Sequence, residues 1–82
     1  MLYSEAQKLV ISELAHAQVS YPKFNSAHEG FAVLLEEVDE LKAEVWKSPK
    51  KRDMAAMRME AAQVAAMALR FMIDCCDSGE EK

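Results

Sequence analysis

Residues 54–73 read MAAMRMEAAQVAAMALRFMI, and sixteen of these twenty positions are apolar. Only Arg58, Glu60, Gln63 and Arg70 interrupt the run. Set on a helix, the apolar residues leave no polar stripe, because they fall on every side. A helix that is apolar all round needs neighbours all round. Two short helices of the same chain cannot supply them, so the stretch predicts an all-α homo-oligomer with this helix at its centre.

Working outward, the third helix starts between Pro49 and Asp53 and runs to about Cys75. Ser48 can cap it with Pro49 at the first helical position, or Asp53 can cap a later start. Upstream, Ser26 with Glu29 in the N3 position reads as a capping box that opens a second helix, ending near Lys47 before Ser48-Pro49. Steps of 100° place Phe31, Leu34, Leu35, Val38, Leu41 and Val45 on one side of it. Glu29, Glu36, Glu37, Glu40 and Glu44 fall on the other, giving an apolar stripe and an acidic face. A first helix spans about Glu5 to Val19, with Ala6, Leu9, Val10, Leu14 and Ala17 at helical spacing. Ser4 and Gln7 form its expected capping box, and Pro22 disfavours a helical Tyr21 just past its end.

The chain has 82 residues, enough for one small domain over 1–82, with a polar tail, Asp77 to Lys82, expected to fray. It is 51% hydrophobic and 29% charged, with two Gly and two Pro, which excludes disordered and collagen-like classes. A net charge of −4 argues against a nucleic-acid module, whose phosphate contacts demand surplus Lys and Arg. Cys75 and Cys76 are adjacent, a placement that rarely reaches relaxed disulfide geometry, so both read as reduced thiols. Their neighbours Asp74 and Asp77 have the wrong sign for thiolate chemistry. Glu5, Lys8 and Glu13 break up the first fifteen residues, and the apolar run Val64 to Leu69 is far too short to cross a bilayer. The expectation is a cytoplasmic protein with no membrane partner.

Glu60 is the residue that points to chemistry. It stands in the middle of the apolar helix, beside Met57, Val64, Met67 and Phe71. A carboxylate stranded there without a partner costs several kcal/mol, about 3–5 for a broken buried pair. The compensation is an ion pair with Arg58 or Arg70, protonation of Glu60, or a metal ion shared with Glu37 and Glu40. Those two glutamates, three residues apart, point to one side of the second helix. Antiparallel packing of the second and third helices brings both pairs to similar depth below the connecting loop. Gln63, one turn on from Glu60, offers an amide oxygen to the same point. Donors that are all oxygen suit Mg²⁺ or Mn²⁺ rather than zinc.

Glu36-Glu37-Val38-Asp39-Glu40 matches an EExxE motif, and Glu60-Ala61-Ala62-Gln63 stands where an ExxD motif is expected nineteen residues later. The stretches SAHEGFAVLLEEVDELKAEVWK and EAAQVAAMALRF resemble the all-α nucleoside triphosphate pyrophosphohydrolases, the MazG-like superfamily, in a short phage and bacterial branch. The resemblance covers Ser26 to Phe71. It implies a helical protomer whose homodimer or homotetramer builds four-helix bundles. It also implies that Glu37, Glu40 and Glu60 ligate Mg²⁺ (with Mn²⁺ as substitute) and that position 63 is the fourth ligand. Gln63 replaces the usual Asp there and removes one negative charge. The implied reaction cleaves an NTP or dNTP to the monophosphate and pyrophosphate; Glu36, beside the ligands, or Glu40 itself is placed to accept a proton from the attacking water, and Glu36 is the choice. Lys42, Lys47, Arg70 and the run Lys50-Lys51-Arg52 are candidates for phosphate contacts. Trp46, Phe24 and Tyr21 are candidates for stacking on a base, although Trp46 also ends an apolar stripe, where a core residue belongs. Asn25 either contacts the substrate or caps the second helix. The alternative implied by Gln63 is a member that binds nucleotide, or a partner helix, without turnover.

Glu13-Leu14-Ala15-His16 reads as E-x-x-H, half of a di-iron motif. His16 lies on the flank of the apolar stripe, which favours a plain surface histidine. His28, in the first turn of the second helix, has no metal spacing.

Overall fold

In the computed structural model, which describes residues 1–77, helix α1 spans Tyr3–Ser20, α2 spans Ala27–Val45 and α3 spans Met54–Cys75. A short 3-10 turn, Pro49–Lys51, lies between α2 and α3. The expected polar tail falls, apart from Asp77, outside the described residues.

The helix starts follow from local hydrogen bonding. Ser26 Oγ accepts the Glu29 N–H at 3.1 Å, while the Glu29 carboxylate reaches back to the Asn25 N–H at 2.6 Å. The carboxylate of Asp53 accepts from the N–H groups of Ala55 and Ala56 at 2.9 and 3.2 Å and opens α3. Of the two starts that the sequence offers, Asp53 opens the helix; Pro49 begins only the separate 3-10 turn, and Ser48 makes no side-chain cap bond. At α1 the expectation of a Ser4 cap is corrected. Leu2 is the cap residue, and Glu5 Oε1 accepts its N–H at 2.9 Å, so Ser4 already sits inside the first turn. Asn25 does not cap α2, a place that Ser26 takes; its backbone and side-chain amide donate to Glu29.

Helix α3 is the centre of the molecule. Both α1 and α2 pack on it, and they make no helix-to-helix contact with each other. Contacts such as Glu13 with Gln63 and Pro22 with Arg70 show α1 running parallel to α3. Gly30 lies against Phe71 and Cys75, whereas Glu37 and Glu40 lie near Glu60, so α2 is antiparallel to α3 as expected. Leu14, Ala17, Phe24, Ala66 and Met67 form the buried core, with Val10, Val33, Leu34, Leu69, Phe71 and Cys75 packed around it. The chain closes onto the end of α3 through a buried Arg70. Its guanidinium faces Asp74 at 3.7 Å, donates to the Pro22 carbonyl and lies 4.1 Å from the Phe24 ring centroid. Asp74 also accepts the Phe24 N–H at 3.1 Å, so this pair pins the α1–α2 connection onto α3.

The apolar stripe of α2 is not buried as one face. Leu34 and Leu41 are half-buried, but so are Glu37 and Glu44, while Phe31, Leu35 and Val38 are exposed. Helix α3 therefore packs on the seam between the apolar and acidic sides rather than on the centre of the stripe. Trp46 consequently is no core residue: it is 74% exposed, with Lys42 Nζ 5.6 Å from its ring centroid. Among the described residues no helix is long and apolar enough to cross a membrane.

Candidate metal centre

The seam packing of α2 turns Glu37 towards α3, and the antiparallel register sets Glu60 opposite it. Glu40, one turn along, completes a cluster in which one carboxylate oxygen from each of the three lies within 4.8 Å of the others. Such an arrangement is costly as it stands. Glu37 is held above its ordinary value of 4.5, first by burial and then by the charges of Glu40 and Glu60. Glu60 is raised as well, again by burial first and then by Glu40.

The two cations that the sequence offers as partners for Glu60 are not there. Arg70 is committed to Asp74, and Arg58 is exposed and forms no ion pair among the described residues. Lys47 pairs with Glu44 at 2.9 Å, beside the cluster rather than in it. With no side-chain cation paired to them among the described residues, the carboxylates are left a shared proton or a bound cation. The donor set is all oxygen and fits a hard divalent ion. Glu37, Glu40 and Glu60 would hold such an ion, and it would neutralise the charge they gather there.

Because α1 and α2 stand apart on α3, a groove of about 610 Å³ opens between them, within the range of small-ligand pockets, about 300–1,000 Å³. Glu13 and His16 line one wall, and Glu36 and Glu37 line the other. Gln63, Met67 and Arg70 form the floor, and the segment from Tyr21 to Asn25 closes one end. Glu37 thus belongs both to the carboxylate cluster and to the groove. Glu36, the expected proton acceptor, is exposed and faces the groove beside it.

Among the expected substrate contacts, Asn25 and Arg70 line the groove, but Arg70 is held by Asp74, Pro22 and Phe24. Lys42 and Trp46 are not among its lining residues; they pair with each other on the exposed side of α2. Gln63, expected as the fourth donor, lines the groove, and its amide nitrogen donates to the carboxylate of Glu13 on α1. Glu13 is the residue that the E-x-x-H pattern misdirects. Its true signal is its position three residues after Val10 and four before Ala17, on the side of α1 that packs on α3. Cys75 is half-buried, and burial, with Asp74 adding, pushes its thiol above the ordinary range, whereas Cys76 is exposed. Compared with protein-family models, curated proteins and solved structures, the chain matches none of them.

Proposed function

We propose that this chain is a Mg²⁺-dependent nucleoside triphosphate pyrophosphohydrolase of the MazG-like kind, acting on NTPs or dNTPs. The observation that carries it is the convergence of Glu37, Glu40 and Glu60, with no neutralising side chain among the described residues, at the edge of a groove of nucleotide size. Glu37, Glu40 and Glu60 would hold the ion, with Mn²⁺ an acceptable substitute, and the Gln63 oxygen would serve as auxiliary donor. When bound, Mg²⁺ supplies charge neutralisation for triphosphate oxygens and acidifies a water. Glu36 takes the proton from the attacking water, being exposed on the groove wall beside Glu37. The segment from Tyr21 to Asn25 borders the nucleoside at the closed end of the groove, and the monophosphate leaves through its open side. The working form is a homo-oligomer, a dimer or tetramer in which α2 and α3 of two chains build a four-helix bundle.

Pyrophosphate release from a panel of NTPs and dNTPs, with and without Mg²⁺, tests this. Metal-dependent release that falls at least 100-fold in Glu37→Gln and Glu60→Gln is expected. Release that survives both substitutions rejects the assignment. The engagement of Gln63 with Glu13 favours a second reading, a nucleotide-binding protein without turnover, because the site holds three carboxylates rather than four. Its signature is a melting temperature raised by Mg²⁺ with nucleotide, together with silence across the panel.

A further inference from the structure

Gln63, read above as the auxiliary donor, shares the groove with Glu37 and is engaged by α1. Glu13 is half-buried on the side of α1 that packs on α3, close to Leu14 and Ala17 of the core. Among the described residues it has no ion-pair partner, and its polar contact is the side chain of Gln63. The nitrogen of the Gln63 amide is the atom turned towards α1, donating to a Glu13 carboxylate oxygen, which accepts. That leaves the carbonyl oxygen, the one atom of Gln63 able to bind a cation, directed away from Glu13. A second carboxylate at position 63 would instead face Glu13 across a partly buried contact, where like charges repel.

We propose that Glu13 is a positioning residue, which selects an amide at position 63 and holds its carbonyl oxygen towards the cluster of Glu37, Glu40 and Glu60. The assignment rests on the metal-site reading above. It makes residues 13 and 63 a matched pair, one carboxylate and one amide, in which α1 carries the charge that α3 lacks. The first helix thereby becomes part of the site, although it supplies no ligand.

The test combines thermal melting of the metal-free protein with Mn²⁺ titration of the folded protein. Gln63→Glu alone sets two carboxylates against each other and lowers the metal-free melting temperature by several degrees. Glu13→Gln with Gln63→Glu, which exchanges the two groups, recovers the part of that loss that comes from Glu13. Glu13→Gln alone keeps a hydrogen bond and melts within about two degrees of wild type. It frees the Gln63 amide to turn over, and Mn²⁺ binding weakens at least threefold. A role in packing alone would leave that affinity unmoved. Asp39→Asn removes one negative charge from the exposed side of α2 and controls for long-range attraction, with affinity expected within twofold of wild type. Additive melting effects in the cycle, or a Glu13→Gln variant no weaker than Asp39→Asn, overturn the positioning role alone. A wild type that binds no Mn²⁺ overturns the metal-site reading, and the positioning role with it.

Discussion

At the scale of single residues, the cluster of Glu37, Glu40 and Glu60 makes the metal-free protein sensitive to pH in a definite direction. Glu37 and Glu60 bind their protons more tightly in the folded chain than in the unfolded one. Between the ordinary glutamate value of 4.5 and the raised values, the folded state therefore carries more protons. Stability then falls as pH rises through that window, and it is greatest, as far as these two groups are concerned, below it. Melting of the metal-free protein is expected to occur some degrees lower at neutral pH than at the acid side of the window. Glu60→Gln should raise the neutral-pH melting temperature by a few degrees and flatten the profile, since it removes one of the repelling charges. Mg²⁺ should raise the melting temperature of wild type and not of this variant. A profile unchanged by the substitution would mean that the three carboxylates do not interact.

At the scale of the elements, two close approaches decide how the helices seat. A Cβ on Gly30 would stand 2.8 Å from Cδ2 of Phe71 and 3.0 Å from Cδ2 of Phe24, both ring atoms in the packed region. Gly30→Ala gains about 1 kcal/mol of helix propensity and loses more to overpacking, typically 1–3 kcal/mol. A net loss of about 1 kcal/mol, or roughly 4–8 °C in melting temperature, is the expected outcome of a thermal scan. Asp74→Ala strips a buried guanidinium of its counter-charge and frees the α1–α2 connection, so a loss of about 3 kcal/mol is expected by urea titration. The elements themselves were legible in the chain because the punctuation is strong. Pro22, Ser26 and Asp53 act where their chemistry places them, and Ser48-Pro49 ends α2 without capping α3. Ser4 misled because Glu5 captures the Leu2 N–H and lets the helix begin earlier. Of the site, Glu37, Glu40 and Glu60 follow from spacing and hairpin register. The groove and Glu13 do not, since they exist only because α1 and α2 seat apart on α3. Trp46 escapes the pattern for a related reason: the stripe it ends faces away from the seam on which α3 packs.

At the scale of the whole molecule, the single chain is a layer of about 51 × 27 × 19 Å, about two helix diameters thick. No large side chain in it is fully buried among the described residues. Phe31, Leu35 and Val38 recur at four and three residues along α2 and are 58%, 46% and 40% exposed. Met54, Met72 and Ile73 of α3 are 69%, 61% and 42% exposed. A chain this short gains little from its own core, and oligomerisation is one of the few ways to cover such surface. Burying these side chains against a second copy would stabilise each by about 1.5–3 kcal/mol when complete. Melting temperature is therefore expected to rise with protein concentration, as mass action requires for a folded oligomer. Leu35→Glu, in the middle of the exposed stripe of α2, should reduce the mass measured by light scattering to that of one chain and abolish the concentration dependence. It leaves Glu37, Glu40 and Glu60 untouched, so Mn²⁺ binding by the variant separates assembly from the metal centre. A monomeric wild type with a concentration-independent transition would show instead that the layer is stable alone, and that its exposed apolar stripe serves another partner.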